Sequence, residues 1–245
     1  MRLDRLLVTL GQGSRSRVQK LIRAGSVTVD GVPARDPGMD WREGRQVAVD
    51  GEALDTRLAR HLILHKPAGL LTAARDPKQP TVMDLLPEVM RSLGCMPVGR
   101  LDKDTTGLLF FTTDGALAHR LLSPERHVDK VYLAEVDGPL TEKDAEAFAA
   151  GLAMGDFTAL PARLEILESG AGRAAARVTV REGKFHQIKR MFEAVGRTVT
   201  ALHRERFGPL ELGGLPPCAW REATEEELDS LRGAVGMPRG REDNE

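Results

Sequence analysis

Val98-Gly99-Arg100-Leu101-Asp102-Lys103-Asp104-Thr105-Thr106-Gly107-Leu108-Leu109-Phe110-Phe111 is the stretch on which the fold turns. An acid stands behind an Arg-Leu pair. A polar turn of Thr105, Thr106 and Gly107 follows, and then an apolar run from Leu108 to Phe111. A short apolar run bounded by turn residues is the pattern of a buried strand. The stretch therefore predicts a carboxylate, Asp102, on a loop between two strands, with Asp104 as its nearest rival. Taken alone it reads better as an ordinary hairpin, because Asp, Thr and Gly are common turn residues. The rest of the chain has to decide.

Downstream, Asp114 caps a helix that turns Leu117, Leu121 and Leu122 inward. Val128–Val136 is a strand carrying Tyr132, and Thr141 caps a helix with Phe148 and Leu152 four apart. Strands are expected at Leu164–Leu167, Arg177–Val180 and Thr198–Leu202. A helix is expected at Lys184–Val195, stopped by Gly196, and a last one after Thr224, with Glu227 in the capping-box position. Upstream, Leu62–Leu64 starts a strand into the tight turn His65-Lys66-Pro67-Ala68-Gly69, and Thr81 caps a short helix with Asp84 three residues on. Strands interleaved with short helices, without long regular alternation, predict an α+β domain with a mostly antiparallel sheet.

The first fifty residues differ. Leu3, Leu6, Leu7 and Leu10 have helical spacing, and Gly11 and Gly13 stop that helix. Ser14 caps a second helix, Arg15 to Ala24, with Val18, Leu21 and Ile22 on its apolar face and Gly25 at its end. Strands Val27–Val29 and Gln46–Val49 follow, with turns at Asp30-Gly31 and Asp50-Gly51. Residues 1–35 hold seven Lys/Arg against two acids, whereas residues 221–245 hold four against eight. A basic head on a chain of net charge −1 is the footprint of a nucleic-acid partner, or else a solvated helix face. Residues 52–60 look like a linker. The expected organisation is a module at 1–55, a larger domain at 56–233 and a charged, disordered tail at 234–245.

The composition, 41% hydrophobic and 29% charged, is that of a globular protein. No stretch approaches a membrane span or a signal peptide, and Cys95 and Cys218 have no metal-ligand spacing. A cytoplasmic protein is expected. The six histidines form no ligand-like pair, and phosphate-loop and nucleophile-elbow motifs are missing. What remains is a cofactor-free acid, Asp102 before Asp104. Tyr132 is the sole tyrosine and shares strand parity with Lys130, Ala134 and Val136, which equally suits a core residue. Lys189 and Arg190 lie beside Ile188, Met191 and Phe192. They form either an ordinary amphipathic helix or cations able to pair with a buried carboxylate.

Two resemblances join these pieces. Arg2-Leu3-Asp4, Ser14-Arg15-Ser16, Leu21-Ile22-Arg23-Ala24-Gly25 and Val27-Thr28-Val29-Asp30-Gly31 resemble the S4 RNA-binding module, which usually has Asn at the position of Asp30. Gly99-Arg100-Leu101-Asp102 with Thr105-Thr106-Gly107-Leu108, then Lys130-Val131-Tyr132 and His186-Gln187-Ile188-Lys189-Arg190-Met191, resemble the RsuA-like family of ribosomal-RNA pseudouridine synthases. His65-Lys66-Pro67-Ala68-Gly69 belongs to the same ordered set, although the family usually has Asn where this chain has His65. The resemblance runs to about residue 231.

The family implies isomerisation of a uridine without a cofactor or metal. The N1–C1′ bond breaks, the uracil turns, and C5 bonds to C1′. Asp102 would attack C1′ or take the C2′ proton. Tyr132 would stack on the base and assist at C5, and Lys189 would pair with Asp102 and keep it ionised. Ile188 would pack on the base, and Arg100 would brace the gap left by the flipped nucleotide. Arg15, Lys20 and Arg23 would meet RNA backbone. Phe185 to Phe192, with Leu202-His203-Arg204-Glu205-Arg206, looks like the branch acting on 16S (small-subunit) rRNA. The expected partner is ribosomal RNA or a partly assembled small subunit, bound by a monomer. Two alternatives stay open: a sister enzyme for 23S (large-subunit) rRNA, and a non-catalytic rRNA-binding assembly factor. The missing ATP-binding signatures disfavour an aminoacylation enzyme.

Overall fold

The computed structural model describes residues 1–239. Among these residues no helix is long and apolar enough to cross a membrane. The chain divides into two compact units, Met1–Arg60 with Leu86–Cys95, and His61–Leu85 with Met96 onward. The first is thus larger than the 1–55 module expected, and discontinuous.

In the first unit, helices α1 (Leu3–Thr9) and α2 (Arg15–Ala24) cover a four-stranded sheet. Its strands are β1 (Val27–Val29), β2 (Val32–Pro33), β3 (Val47–Val49) and β4 (Glu52–Ala53), in the order β2-β1-β3-β4. The signals read from sequence act as such. Ser14 accepts the Arg17 N–H, and Gly25 closes α2 at φ 84°. Asp30 and Gly31 form the two-residue link between Val29 and Val32, both at positive φ, the conformation a tight hairpin demands. The core is Leu3, Leu6, Leu7, Val18, Ile22, Val27, Val29, Trp41 and Val47. Val89 packs against it from α3 (Glu88–Ser92), which explains why that later segment belongs here. The expected linker is part of the fold: Glu52–Ala53 pairs with β3, and Arg60 is buried with Asp55 at 2.9 Å.

The second unit is built on one mixed sheet. Its strands are β5 (His61–Lys66), β6 (Met96–Pro97), β7 (Thr106–Thr112), β8 (Lys130–Asp137), β9 (Arg163–Ser169), β10 (Arg173–Val180), β11 (Val199–Phe207), β12 (Leu210–Glu211) and β13 (Trp220–Glu222). The order is β13-β5-β7-β11-β8-β10-β9, with β6 on β7 and β12 on β11. Only the β7–β11 pair is parallel, so the sheet is mostly antiparallel, as expected. Helices α4 (Gly115–Leu122) and α7 (Glu225–Ala234) pack Leu117, Leu121, Leu228 and Leu231 onto Ile63, Leu108 and Phe110. Thr141 and Asp144 box the start of α5 (Glu142–Ala150).

Three expectations change. Helix α6 spans Gln187–Ala194 rather than starting at Lys184, because His186 adopts a left-handed conformation that no helix continues through. Thr106 and Gly107 belong to β7, not to the turn before it. The tail does not begin at 234: Val235 is fully buried and Met237 packs beside it. The rest of the expected tail, 240–245, lies outside the described residues.

Candidate active site

The loop between β6 and β7 carries Asp102, and three devices hold it. The first is the turn itself, where the Thr105 N–H donates to the Asp102 carbonyl at 3.1 Å. The second is Thr72, whose hydroxyl donates to the Leu101 carbonyl at 2.8 Å and accepts the Leu101 N–H at 3.2 Å. The third is Lys66, fully buried at the end of β5. Its ammonium donates to the carbonyls of Pro67 (3.0 Å), Asp102 (3.1 Å), Lys103 (3.2 Å) and Thr105 (2.8 Å). A cation thus folds three carbonyls of one turn around itself. Burial pulls its pKa down to about 8, and Asp104 and Asp102 oppose that shift. Sequence reasoning gave Lys66 no role. The usable signal was a lysine closing an otherwise apolar strand, immediately before Pro-Ala-Gly.

Gly107 matters for a different reason. A Cβ there would stand 2.3 Å from the Arg204 carbonyl oxygen, so only glycine lets β7 run parallel against β11. Arg204, also unassigned from sequence, is buried. Its Nε donates to the Leu108 carbonyl at 2.7 Å, and its guanidinium lies 6.0 Å from the Tyr132 ring centroid. The two strands that carry the loop and the tyrosine are thereby tied through one side chain.

Five of the residues named from sequence line a single cleft: Arg100, Asp102, Tyr132, Ile188 and Lys189. Tyr132 comes from mid-β8, opposite Val178 and Arg204, and is buried like Lys130, Ala134 and Val136 of the same parity. Ile188, also buried, and Lys189 come from the first turn of α6. The side chain of Asp102 is 28% exposed and that of Lys189 20%, which leaves the carboxylate accessible at the cleft floor.

Lys189 has two acidic partners rather than one. Its ammonium hydrogen-bonds both oxygens of Asp104, at 2.7 and 2.8 Å, and stands 3.6 Å from Asp102. The reason is geometric. The turn at 102–105 points both acids toward α6, and Asp104, on the solvent side, reaches Lys189 more closely. The Lys189 hydrogen bond holds the Asp104 carboxyl below its ordinary value. The His186 imidazole stands 3.7 Å from the other Asp102 oxygen. His65 keeps a hydrogen bond at its unusual position, its Nδ1–H donating to the Leu215 carbonyl at 2.8 Å. No set of three His, Cys, Asp or Glu able to hold a metal occurs among the described residues.

Arg15, Lys20 and Arg23 lie exposed on α2 in the first unit and do not line this cleft. Arg15 stands 3.5 Å from buried Asp4. The carboxylate of Asp30 is occupied by Arg45 at 2.7 Å and the Gln46 N–H at 2.9 Å.

This geometry can be set beside known proteins. Residues 60–194 match the model for RNA pseudouridylate synthases, and residues 1–47 match that for S4 domains. The chain belongs to the RNA pseudouridylate synthase family. It is 43% identical to the ribosomal small subunit pseudouridine synthase A of Pseudomonas aeruginosa over 94% of this chain and 100% of that protein. The Escherichia coli protein of the same name is 39% identical over the same shares. RNA pseudouridine synthase YtzG of Bacillus subtilis is 43% identical over 94% of this chain and 98% of its own. A solved pseudouridylate synthase superposes with a TM-score of 0.66 at 30% identity, covering 94% of this chain and 99% of that one.

Proposed function

We propose that this protein converts one uridine of small-subunit (16S) rRNA to pseudouridine, with Asp102 as the reacting carboxylate. The observation that carries the reading is the convergence on one cleft of Asp102, Tyr132 and Lys189 from three separate elements. Cleavage of the N1–C1′ bond develops positive, oxocarbenium-like charge at C1′, and a carboxylate is the side chain suited to meet it. Asp102 serves by attack on C1′ or by removing the C2′ proton. Either way the detached uracil turns and C5 bonds to C1′. Nothing is oxidised or hydrolysed, so the task of the cleft is to keep water from the intermediate.

Tyr132 offers a ring face to the flipped base and its hydroxyl to the proton at C5. Ile188 packs on the base. Lys189 sets a positive charge 3.6 Å from Asp102 while Asp104 tethers it. Arg100, exposed at the rim, braces the gap in the RNA. The S4 domain grips ribosomal RNA, free or in a partly assembled small subunit, through Arg15, Lys20 and Arg23. Such phosphate contacts set affinity and placement rather than base identity. The protein works as a monomer in the cytoplasm.

The test is to map pseudouridines in both large rRNAs after deleting the gene. One small-subunit site should disappear, return with the parent protein, and stay absent with Asp102→Asn. Loss at a large-subunit site instead would move the substrate to the sister branch. Unchanged maps would leave an assembly factor. Tyr132→Phe should bind RNA like the parent and lose only the hydroxyl chemistry.

A further inference from the structure

We propose that Phe185, stacked on His186 beside the Asp102 cleft, is a stacking platform for an unpaired RNA base next to the target uridine. The proposal rests on the reading above that the substrate is RNA, and it adds a second base site to it.

Phe185 is 76% exposed, the most exposed large hydrophobic side chain among the described residues. It is not loose in solvent. Its ring lies 3.8 Å from the His186 ring, at 19° between planes, so one face is fixed and the other is open. His186 in turn stands 3.7 Å from Asp102. The open aromatic face is therefore separated from the reacting carboxylate by one imidazole. His186 holds φ 52° and ψ 29°, a conformation unfavourable for a residue with a Cβ, and it is the break that keeps Lys184 and Phe185 off α6.

The surroundings favour nucleic acid over protein. The Lys184 ammonium, from the residue preceding Phe185, and the Arg190 guanidinium, which also pairs with Asp156, stand 5.9 and 4.8 Å from the Phe157 ring. Aromatic rings interleaved with cations are the makeup of single-strand binding surfaces, where bases stack without sequence preference. A single exposed ring offers too little apolar area for a protein interface. The chemistry also calls for it. A uridine drawn into the cleft leaves its neighbour without a stacking partner, and a prepositioned ring replaces that partner.

The experiment has two arms. In the first, anisotropy of a fluorescein-labelled uridine decamer reports binding to the full-length parent, Phe185→Ala and Phe185→Trp. Phe185→Ala should weaken binding about tenfold and Phe185→Trp should not. Equal affinity of all three, or equal loss in both variants, overturns the platform whether or not the protein makes pseudouridine. In the second, pseudouridine formation is followed on a small-subunit rRNA fragment. Phe185→Ala should raise KM about tenfold with kcat within twofold. An abasic nucleotide at one position flanking the target should copy that loss and leave Phe185→Ala without further effect. If no flanking abasic site does so, the neighbouring-base assignment is wrong. If the parent itself converts no uridine, the functional reading fails and the first arm alone judges the platform. Because the ring is exposed, Phe185→Ala should melt with the parent, which separates lost stacking from lost fold.

Discussion

Asp4 in the first unit and Lys66 in the second are both buried charges, and they are handled in opposite ways. In the first unit the Asp4 carboxylate, 1% exposed, receives both donors of the Arg2 fork and the Gln19 amide, all at 3.0 Å. In the second, the Lys66 ammonium makes no hydrogen bond to a carboxylate and donates only to carbonyls, three of the turn it holds and that of Pro67. Opposite charge makes Asp4 a stabilising anchor that ties the entry of α1 to α2. Neutral dipoles make Lys66 a clamp whose ionisation burial opposes. The contrast teaches that a buried charge beside its counter-ion belongs to stability, whereas one buried against the backbone of a functional loop belongs to geometry.

Breaking the clamp should have the largest effect. Lys66→Met leaves the 102–105 turn without its central donor, and Asp102 moves from its place in the cleft. An ångström of misplacement costs on the order of a hundredfold in rate. Turnover at saturating rRNA fragment should fall by about that factor or more, with RNA affinity within about threefold. Turnover within a few-fold of the parent in a folded variant would abolish the contrast.

Titration separates the two charges next. The folded pKa of Lys66, about 8, lies below the roughly 10.4 of an unfolded lysine. Between those values the unfolded chain binds more protons, so this group makes stability rise with pH. The clamp loses its charge over the same window. Turnover should therefore decline as pH rises through about 8 with no matching fall in melting temperature, and residual Lys66→Met activity should lack that decline. Asp4 behaves differently. Its carboxyl is held well below the ordinary value, first by the Arg2 hydrogen bond and then by Gln19, against the opposing cost of burial. Its contribution is complete above the unfolded value of about 3.9 and is lost as pH falls through the folded one. Asp4→Asn at neutral pH should cost the first unit about 1–3 kcal/mol in denaturant unfolding, with kcat on saturating rRNA unchanged. A loss of kcat without a loss of stability would reverse the assignment.

What the sequence made legible follows the same division. Caps, glycine stops and apolar runs are local signals, and α1, α2 and α7 lie where these put them. The five cleft residues were reached through ordered motifs. Their convergence depends on strand order, including the parallel β7–β11 contact that only Gly107 permits. Long-range backbone contacts left no mark. A buried lysine that binds carbonyls reads like any other lysine, so Lys66 stood inside a quoted motif without a role. Short elements with no period, Glu88–Ser92 and Trp220–Glu222, were missed because they are set by partners elsewhere in the chain. The choice between Asp102 and Asp104 for Lys189 depends on about an ångström of side-chain reach, finer than spacing can resolve.

That last choice gives the smallest expected effect. Asp104 is 72% exposed, and exposed ion pairs contribute little to stability, typically below about 1 kcal/mol. Asp104→Asn should therefore leave melting unchanged within about a degree. It frees the Lys189 ammonium to close the 3.6 Å gap to Asp102. On the proposed reading a closer ammonium makes the carboxylate a weaker nucleophile or base, so kcat should fall by no more than about threefold. A large loss would mean that Asp104 does more than tether Lys189.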